Sequence, residues 1–577
     1  MKKRVLKIHS SALHWLLIVP GKKNWYLAFL TLIQMAMGGV GVLFALLFKG
    51  LVDSAANGNR EEFWRYAVLV LLLEIGDILL RTLNRWLDEL VRSSLENALK
   101  SRQMDALMRK DYASVCAIHS GEWMNRMTND TVVVTTGYAE ILPGIAGTLV
   151  RMVSALVVLF LIDNVFALVL IPAGLVLLAI TGLLRKRLKR LHKQMQEQDG
   201  KVRIFLQERI ASLMIIKSFA SEDQTLRDAE GHMQAHKDAR MRKTRFSNIC
   251  NTGLAAALDG LYLGGVIYCG WGILEGTVSY GTLVAAIQLL SQVRSPLVNL
   301  TGYIPKFYAM LASAERLMEV EGFPDDWQGR HLSLEEAKDF YENSLVEISL
   351  QQAHYAYYPT ASDGDALSKE NMPVVLKNLS LAIRKGEYVA FTGHSGCGKS
   401  TVLKLLMSMY PLDGGSKTIL CRNGDELPLT AEYRRLFAYV PQGNQLMNGT
   451  IREIVAFSEI GTVDEGRVEQ ALRIACAEPF VKELENGAST RLGERGTGMS
   501  EGQMQRIAIA RALYSESPIL LLDESTSALD AKTEEELLSN LKHMTDKTVI
   551  IVTHRPAALA ICDRVLRFTE DGVKDLR

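Results

Sequence analysis

FTGHSGCGKST, residues 391–401, sets Gly393, four residues, then Gly398, Lys399 and Ser400. A glycine-rich loop with that spacing closes its backbone N–H groups on phosphates, provided it lies between a strand and a helix. The flanks supply that context: EYVAF (387–391) reads as a buried strand and STVLKLLMSMY (400–410) as a helix. Gly393, Gly396 and Gly398 let the backbone approach without Cβ interference, and the helix N-terminus adds a favourable dipole. His394, Ser395, Cys397 and Thr401 complete the expected cradle. Lys399 is expected to reach the outer phosphates and Ser400 to ligate Mg²⁺. The loop alone does not say what work a nucleotide would drive, because many unrelated machines use one like it.

Downstream lies PILLLDESTSALD (518–530), an apolar strand that ends in Asp523 and Glu524. A carboxylate at a strand end beside a phosphate loop suits Mg²⁺, and its neighbour Glu524 is placed to orient or deprotonate an attacking water. KTVIIVTHRP (547–556) is a further apolar strand, ending in His554, which we read as a γ-phosphate contact. Between the loop and the carboxylate-bearing strand, GTGMSEGQMQRIAIARAL places Ser500 three residues before Gln503. That spacing is a helix capping box on purely local grounds.

The rest of the 577 residues divides into unlike halves, although 48% hydrophobic and 22% charged residues look ordinary on average. Asn24–Phe48 and 164–184 contain no charged residue, and each is long enough for a bilayer core of about 20 apolar helical residues. Four weaker stretches, 66–88, 141–162, 248–274 and 279–303, complete six expected spans. The first 25 residues hold six Lys and Arg and the connector 185–245 holds sixteen, whereas the opposite connectors hold few or none. Basic connectors stay in the cytoplasm, so both termini are expected inside. Net charge is +1, which implies no nucleic-acid field, and seven cysteines without a C-x-x-C pair imply neither a metal nor a disulfide framework.

Charges fall inside the expected spans, among them Glu74, Asp77, Arg151, Asp259 and Arg294. Counting about 1.5 Å per residue from the outer ends puts Asp77 and Arg151 at similar depth, and likewise Asp259 and Arg294. Intramembrane charge is costly, so two pairs are expected, Asp77 (or Glu74) with Arg151 and Asp259 with Arg294, with Glu74, if left over, lining a polar substrate path.

With these motifs together, the chain resembles an ABC transporter half-molecule of the exporter type, over nearly its whole length. YVPQGNQLMNGTI resembles the family's Q-loop and puts Gln442 at the Mg²⁺ and the domain interface, and SALD resembles the D-loop with Asp530. His554 resembles the switch histidine. YAYYP resembles the adenine-stacking loop, with Tyr357 preferred over Tyr355 and Tyr358. GEWMNRMTND (121–130) and ERIASLMIIKSFASE (208–222) resemble the two cytoplasmic coupling regions. The resemblance implies a cytoplasmic lead-in helix (1–23), a six-helix membrane domain with long cytoplasmic extensions (24–322), a linker (323–342) and an α/β nucleotide-binding domain (343–577). It also implies ATP and Mg²⁺ as ligands, Glu524, His554 and Gln442 as catalytic residues, and Ser400, Gln442 and Asp523 around the metal. Ser500, Gly502, Gln503 and Asp530 would face the ATP of a second half-transporter. The signature departs from Leu-Ser-Gly-Gly-Gln at Met499 and Glu501, and ASDGDALSKENM (361–372) reads as an inserted surface loop.

The resulting expectation is ATP-driven export of an amphiphilic lipid, drug-like molecule or peptide across the cytoplasmic membrane, by alternating access in a dimer. An importer built on the same fold and an ATP-gated channel or sensor are the alternatives. Homodimer and heterodimer both fit, and no protease-like segment is expected before the first span.

Overall fold

The computed structural model describes residues 12–576 apart from 20, 22–23, 358–373, 444, 460, 494–497 and 570–571. The side chains of most residues in 164–186 and of 294–301 are also outside the description. The inserted loop 361–372, Tyr358 and most of the lead-in segment therefore lie outside the described residues, though 12–18 is helical. Two compact units form, one from residues up to Lys100 with Thr128–Leu317, the other from Ser101–Met127 with Met318 onward.

The first unit holds long helices, each containing one of the expected spans: α1 (Asn24–Ala56), α2 (Arg60–Arg109), α3 (Thr131–Ile162), α4 (Asn164–Ala211), α5 (Glu222–Leu274) and α6 (Tyr280–Glu319). Among the described residues, three stretches are long and apolar enough to cross a membrane by composition alone, Asn24–Ala56, Ser120–Ile162 and Glu222–Leu274. Hydrophobic attraction between helices is weak in lipid, so close approach rests on small residues. Here glycines meet backbone: a Cβ added at Gly38 of α1 would lie 2.6 Å from the Gly147 carbonyl oxygen of α3, and one added at Gly147 would lie 2.6 Å from that of Gln34. On α3, Gly137 and Gly144 face Met310 and Tyr303 of α6. At the ends of the helices, Asp53 accepts from the Gly281 amide at 2.8 Å and the Ser279 hydroxyl at 3.1 Å, and Tyr268 donates to Asp163 at 2.8 Å.

The expected pairing of Asp77 with Arg151 is corrected by the structure. Asp77 is buried and bonds Arg81 one turn along its own helix at 2.5 Å, while Arg151 has no ion pair among the described residues. An i,i+4 partner is already adjacent, with no interhelical fit required. Arg294's side chain lies outside the description, so the second expected pair has no observed geometry. Ion pairs between helices occur instead at Lys306–Glu140, 2.5 Å, and at Arg316–Asp130, where the aspartate is buried and also accepts from Ser313.

The second unit is an α/β domain. Its strands are β1 (Leu345–Ala356), β2 (Val374–Arg384), β3 (Tyr388–Thr392), β4 (Gly414–Cys421), β5 (Glu426–Pro428), β6 (Phe437–Val440), β7 (Gly449–Thr450), β8 (Arg491–Leu492), β9 (Ile519–Asp523), β10 (Thr548–Val552), β11 (Arg564–Thr569) and β12 (Gly572–Asp575). The main sheet runs β12-β11-β3-β10-β9-β6, parallel except for β12, and an antiparallel sheet runs β2-β1-β4-β5. Parallel strands covered on both faces are apolar throughout. Leu520 and Leu522 of β9 pack on one face with helix α8 (Glu501–Tyr514), and Ile519 and Leu521 on the other with helix α7 (Lys399–Leu406).

Helix α7 stops at Leu406, four residues short of the expected end, because Ser408 takes the left-handed conformation at φ +54°. Its last carbonyls are met by Lys417, which donates to Leu405 at 3.3 Å and to the Ser408 hydroxyl at 2.8 Å, and by Arg434. Burial, with the like charge of Arg434, pushes the Lys417 ammonium down from 10.5 to about 8. The unfolded chain keeps that proton to higher pH than the folded one, so this residue's contribution to stability rises between pH 8 and 10.5. The melting temperature of the wild type should therefore gain on that of Lys417→Met as pH is raised from about 7 to 9.5; parallel curves would refute the burial of a charge there.

Candidate functional site

Three parallel strands end side by side. Val552 of β10 is opposite Phe391 of β3 on one flank and Asp523 of β9 on the other. The chain segments that follow, the glycine loop, the 524–530 turn and His554, therefore leave the sheet at the same edge, where α/β sheets place their ligands. The Thr553 amide donates to the Phe391 carbonyl at 3.2 Å and the Glu524 amide to that of Val552 at 3.1 Å, which ties the segments together.

In the loop, Gly393, Gly396 and Gly398 have φ of +140°, +84° and +94°, values that side chains with a Cβ rarely adopt. His394, Ser395 and Gly396 are exposed along it, with Cys397 half-buried. Lys399 is buried and curls back to donate to the Gly393 and His394 carbonyls at 2.7 and 2.9 Å. Ser400 and Thr401 open α7. The Ser400 hydroxyl donates to one oxygen of Asp523 at 2.9 Å, and Tyr439 donates to the other at 3.1 Å. Burial, aided by the neighbouring Glu524 carboxylate, holds the Asp523 carboxyl above its ordinary range despite those two bonds. Two hard oxygen donors at one point, one of them a carboxyl that burial drives toward neutrality, fit a divalent cation.

Gln442 donates to the Glu524 carboxylate at 2.8 Å, joining the glutamine and the glutamate that stand far apart in sequence. Glu524 has φ +50°, a left-handed conformation costing about 1–3 kcal/mol for a residue with a Cβ. His554 is exposed just beyond β10. Ser500 caps α8 reciprocally with Gln503, and Gly502 lies where a Cβ would be 2.8 Å from the Ala528 carbonyl oxygen. Among the described residues no hydrogen bond links these signature positions to the phosphate loop of the same chain. Asp530 caps the following helix by accepting from Thr533 at 3.0 Å.

Residues passed over in the sequence hold these parts in place. Gln505, buried in α8, bonds Ser527 and the Ala528 amide, each at 3.0 Å. Arg555 donates to the Leu529 and Ser527 carbonyls at 3.0 and 3.1 Å and pairs with buried Glu534 at 2.6 Å. Their signals were a glutamine inside an apolar helical run and an arginine directly after His554.

Among the tyrosines of YAYYP, Tyr355 is fully buried, whereas Tyr357 is 38% exposed and its hydroxyl lies 2.8 Å from that of Thr401. Tyr357 also meets the Tyr355 and Tyr410 rings edge to face, at 5.2 and 5.6 Å, and is the more accessible of the two tyrosines. Tyr357→Ala should raise the ATP Kd about tenfold, a stacking loss of roughly 1–2 kcal/mol. Tyr355→Ala should instead cost about 3 kcal/mol or more of stability in thermal or denaturant melts. Equal ATP affinity in the Tyr357 variant would remove it from the base site.

Residues 27–297 match the family described as the ABC transporter transmembrane region, and residues 376–527 match the family described as ABC transporter. The leukotoxin translocation ATP-binding proteins LktB of Mannheimia haemolytica and Bibersteinia trehalosi are each 33% identical over 396 residues, which is 67% of this chain and 51% of theirs. The chain thus spans about half the length of these curated relatives. The structure of a bacterial Atm1-family ABC exporter with ATP bound shares the fold, with a TM-score of 0.76, 22% identity and 94% coverage of each chain. The chain belongs to the ABC transporter family, with a transmembrane region and an ABC ATP-binding domain in one polypeptide.

Proposed function

We propose that this chain is one half of an ATP-driven exporter of an amphiphilic lipid, drug-like molecule or peptide in the cytoplasmic membrane. The observation that carries this reading is the pair of carboxylates at the end of β9, Asp523 bonded to Ser400 and Glu524 bonded to Gln442. Ser400 and Asp523 would hold Mg²⁺, with Gln442 beside them, and the ion supplies charge neutralisation at the phosphates when bound. Lys399 exchanges its loop carbonyls for phosphate oxygens, and Tyr357 stacks the base. Glu524 takes a proton from the attacking water, while His554 reaches the γ-phosphate. The apolar character of α1, α3 and α5 supports the membrane assignment. The relatives whose names describe leukotoxin translocation support export over gating.

A second copy or a related half-transporter supplies the other half of each site. Two features support this. Among the described residues, Ser500, Gly502 and Gln503 have no hydrogen bond to their own phosphate loop. The helix Leu213–Ser218, between α4 and α5, leaves Met214 86% exposed and Ile215 and Phe219 uncovered as well. Closure of two ATP-binding domains would then alternate the access of the spans.

Hydrolysis by the full chain in lipid vesicles should require Mg²⁺ and fall about 100-fold or more in Glu524→Gln with ATP binding retained, as expected for loss of a general base. Undiminished turnover in that variant would end the catalytic role of Glu524. Glu501 stands in the first turn of α8, where its charge suits the helix dipole and competes with an incoming phosphate. Glu501→Gly should leave turnover unchanged or lower the KM for ATP a few-fold; a large loss would give Glu501 a positive role instead.

A further inference from the structure

Helix α7 has the phosphate loop at its N-terminus, and its other end is held by a different part of the chain. A helix end leaves carbonyls that need donors. Arg434 supplies two, to Met407 at 3.1 Å and to Ser408 at 2.8 Å. The same guanidinium makes a two-pronged ion pair with Asp326, at 2.5 and 2.9 Å, in the stretch that follows α6. Bidentate geometry of this kind fixes orientation as well as distance.

Asp326 belongs to a segment zipped to the end of α2. Its amide donates to the Arg109 carbonyl at 2.9 Å, and the Asp111 amide donates to the Pro324 carbonyl at 3.0 Å. Lys110 reaches the Glu321 and Phe323 carbonyls at 3.0 and 2.8 Å and the Asp325 carboxylate at 2.6 Å. Arg102 grips Glu321 with two bonds, at 2.6 and 3.0 Å. Burial disfavours the Asp326 carboxylate, yet Arg434 and the Trp327 amide outweigh it and hold the group below its ordinary range. The pair is therefore charged at neutral pH.

We propose that Arg434 and Asp326 are a positioning pair that transmits nucleotide binding from the far end of α7 to the segments 102–111 and 319–326, which continue into α2 and α6. The proposal rests on the reading of the chain as ATP-driven. Helix α7 is about 12 Å long and can act as a short rigid rod. When Lys399 leaves the carbonyls of Gly393 and His394 for phosphate, a shift of the loop moves Met407 and Ser408, and the guanidinium carries that shift to Asp326. The route uses neither the helix Leu213–Ser218, Gln442 nor the signature, and the segment it reaches also packs on Trp123 of the helix Ser120–Asn125.

The test is hydrogen–deuterium exchange on the full chain in lipid bilayers, carrying Glu524→Gln and compared with and without Mg²⁺-ATP. The parent should exchange more slowly with ATP at 393–401 and also at 102–111 and 319–326. Adding Asp326→Asn leaves Arg434 on its helix carbonyls. It should keep the ATP Kd within about threefold and retain protection at 393–401, but lose at least half of the response at the two remote segments. A merely structural pair would lower the melting temperature without this selective loss, and an unaltered remote response in Asp326→Asn would overturn the proposal. A parent that responds at 393–401 but not at 102–111 overturns the transmission alone. A parent with no response at 393–401 overturns the nucleotide reading itself.

Discussion

The structure of the ATP-binding unit depends on one constraint, the parallel register that brings β3, β10 and β9 to the same edge. Side chains alternate faces along a strand, so a slip by one residue would turn each of them over. Asp523 shares its face with Ile519 and Leu521, the residues packed against α7. That is why it meets Ser400, the second residue of α7, and not the signature helix on the opposite face. Glu524 would point away if the strand continued; the left-handed turn at this residue ends the pleat and sends its carboxylate to Gln442. The arrangement of both carboxylates thus follows from a buried apolar strand that stops at a defined point.

Much of this was legible in the sequence because the local chemistry is strongly determined. A run such as ILLL followed by two acids has few other readings, and glycines at 393, 396 and 398 report positive φ before any coordinates are known. The long helices were legible from charge-free stretches and basic connectors. What escaped was whatever depends on the third dimension. Matched depth suggested that Asp77 meets Arg151, but a partner one helical turn away competes without any need for two helices to be in register. Tyr355 and Tyr357 stand two residues apart and would share a face if the strand continued; β1 ends at Ala356, so Tyr355 is buried within it while Tyr357, just past its end, is exposed. Gln505 and Arg555 look like ordinary helix and loop residues until their carbonyl and amide partners arrive from elsewhere in the chain.

The glycine contacts of α1 and α3 show the same distinction in the membrane unit. Gly38 and Gly147 are unremarkable among many glycines in apolar helices, yet backbone touches backbone there. Such a contact has no side chain to rearrange, which makes this helix pair a poor place for a hinge.

The discontinuity of the second unit has a temporal consequence. Asp111 pairs with Pro324, and Trp123 packs against Val320 and Phe323, partners that lie some 200 residues later in the chain. At about 5–20 residues per second of synthesis, roughly 10–40 s pass before those partners emerge. During that interval the segment after α2 waits outside the bilayer with an apolar face uncovered, while four more long helices are still being made. A face that Ile118 and Trp123 bury only against Val320 and Phe323 is thus open to chaperones and proteases until those residues emerge.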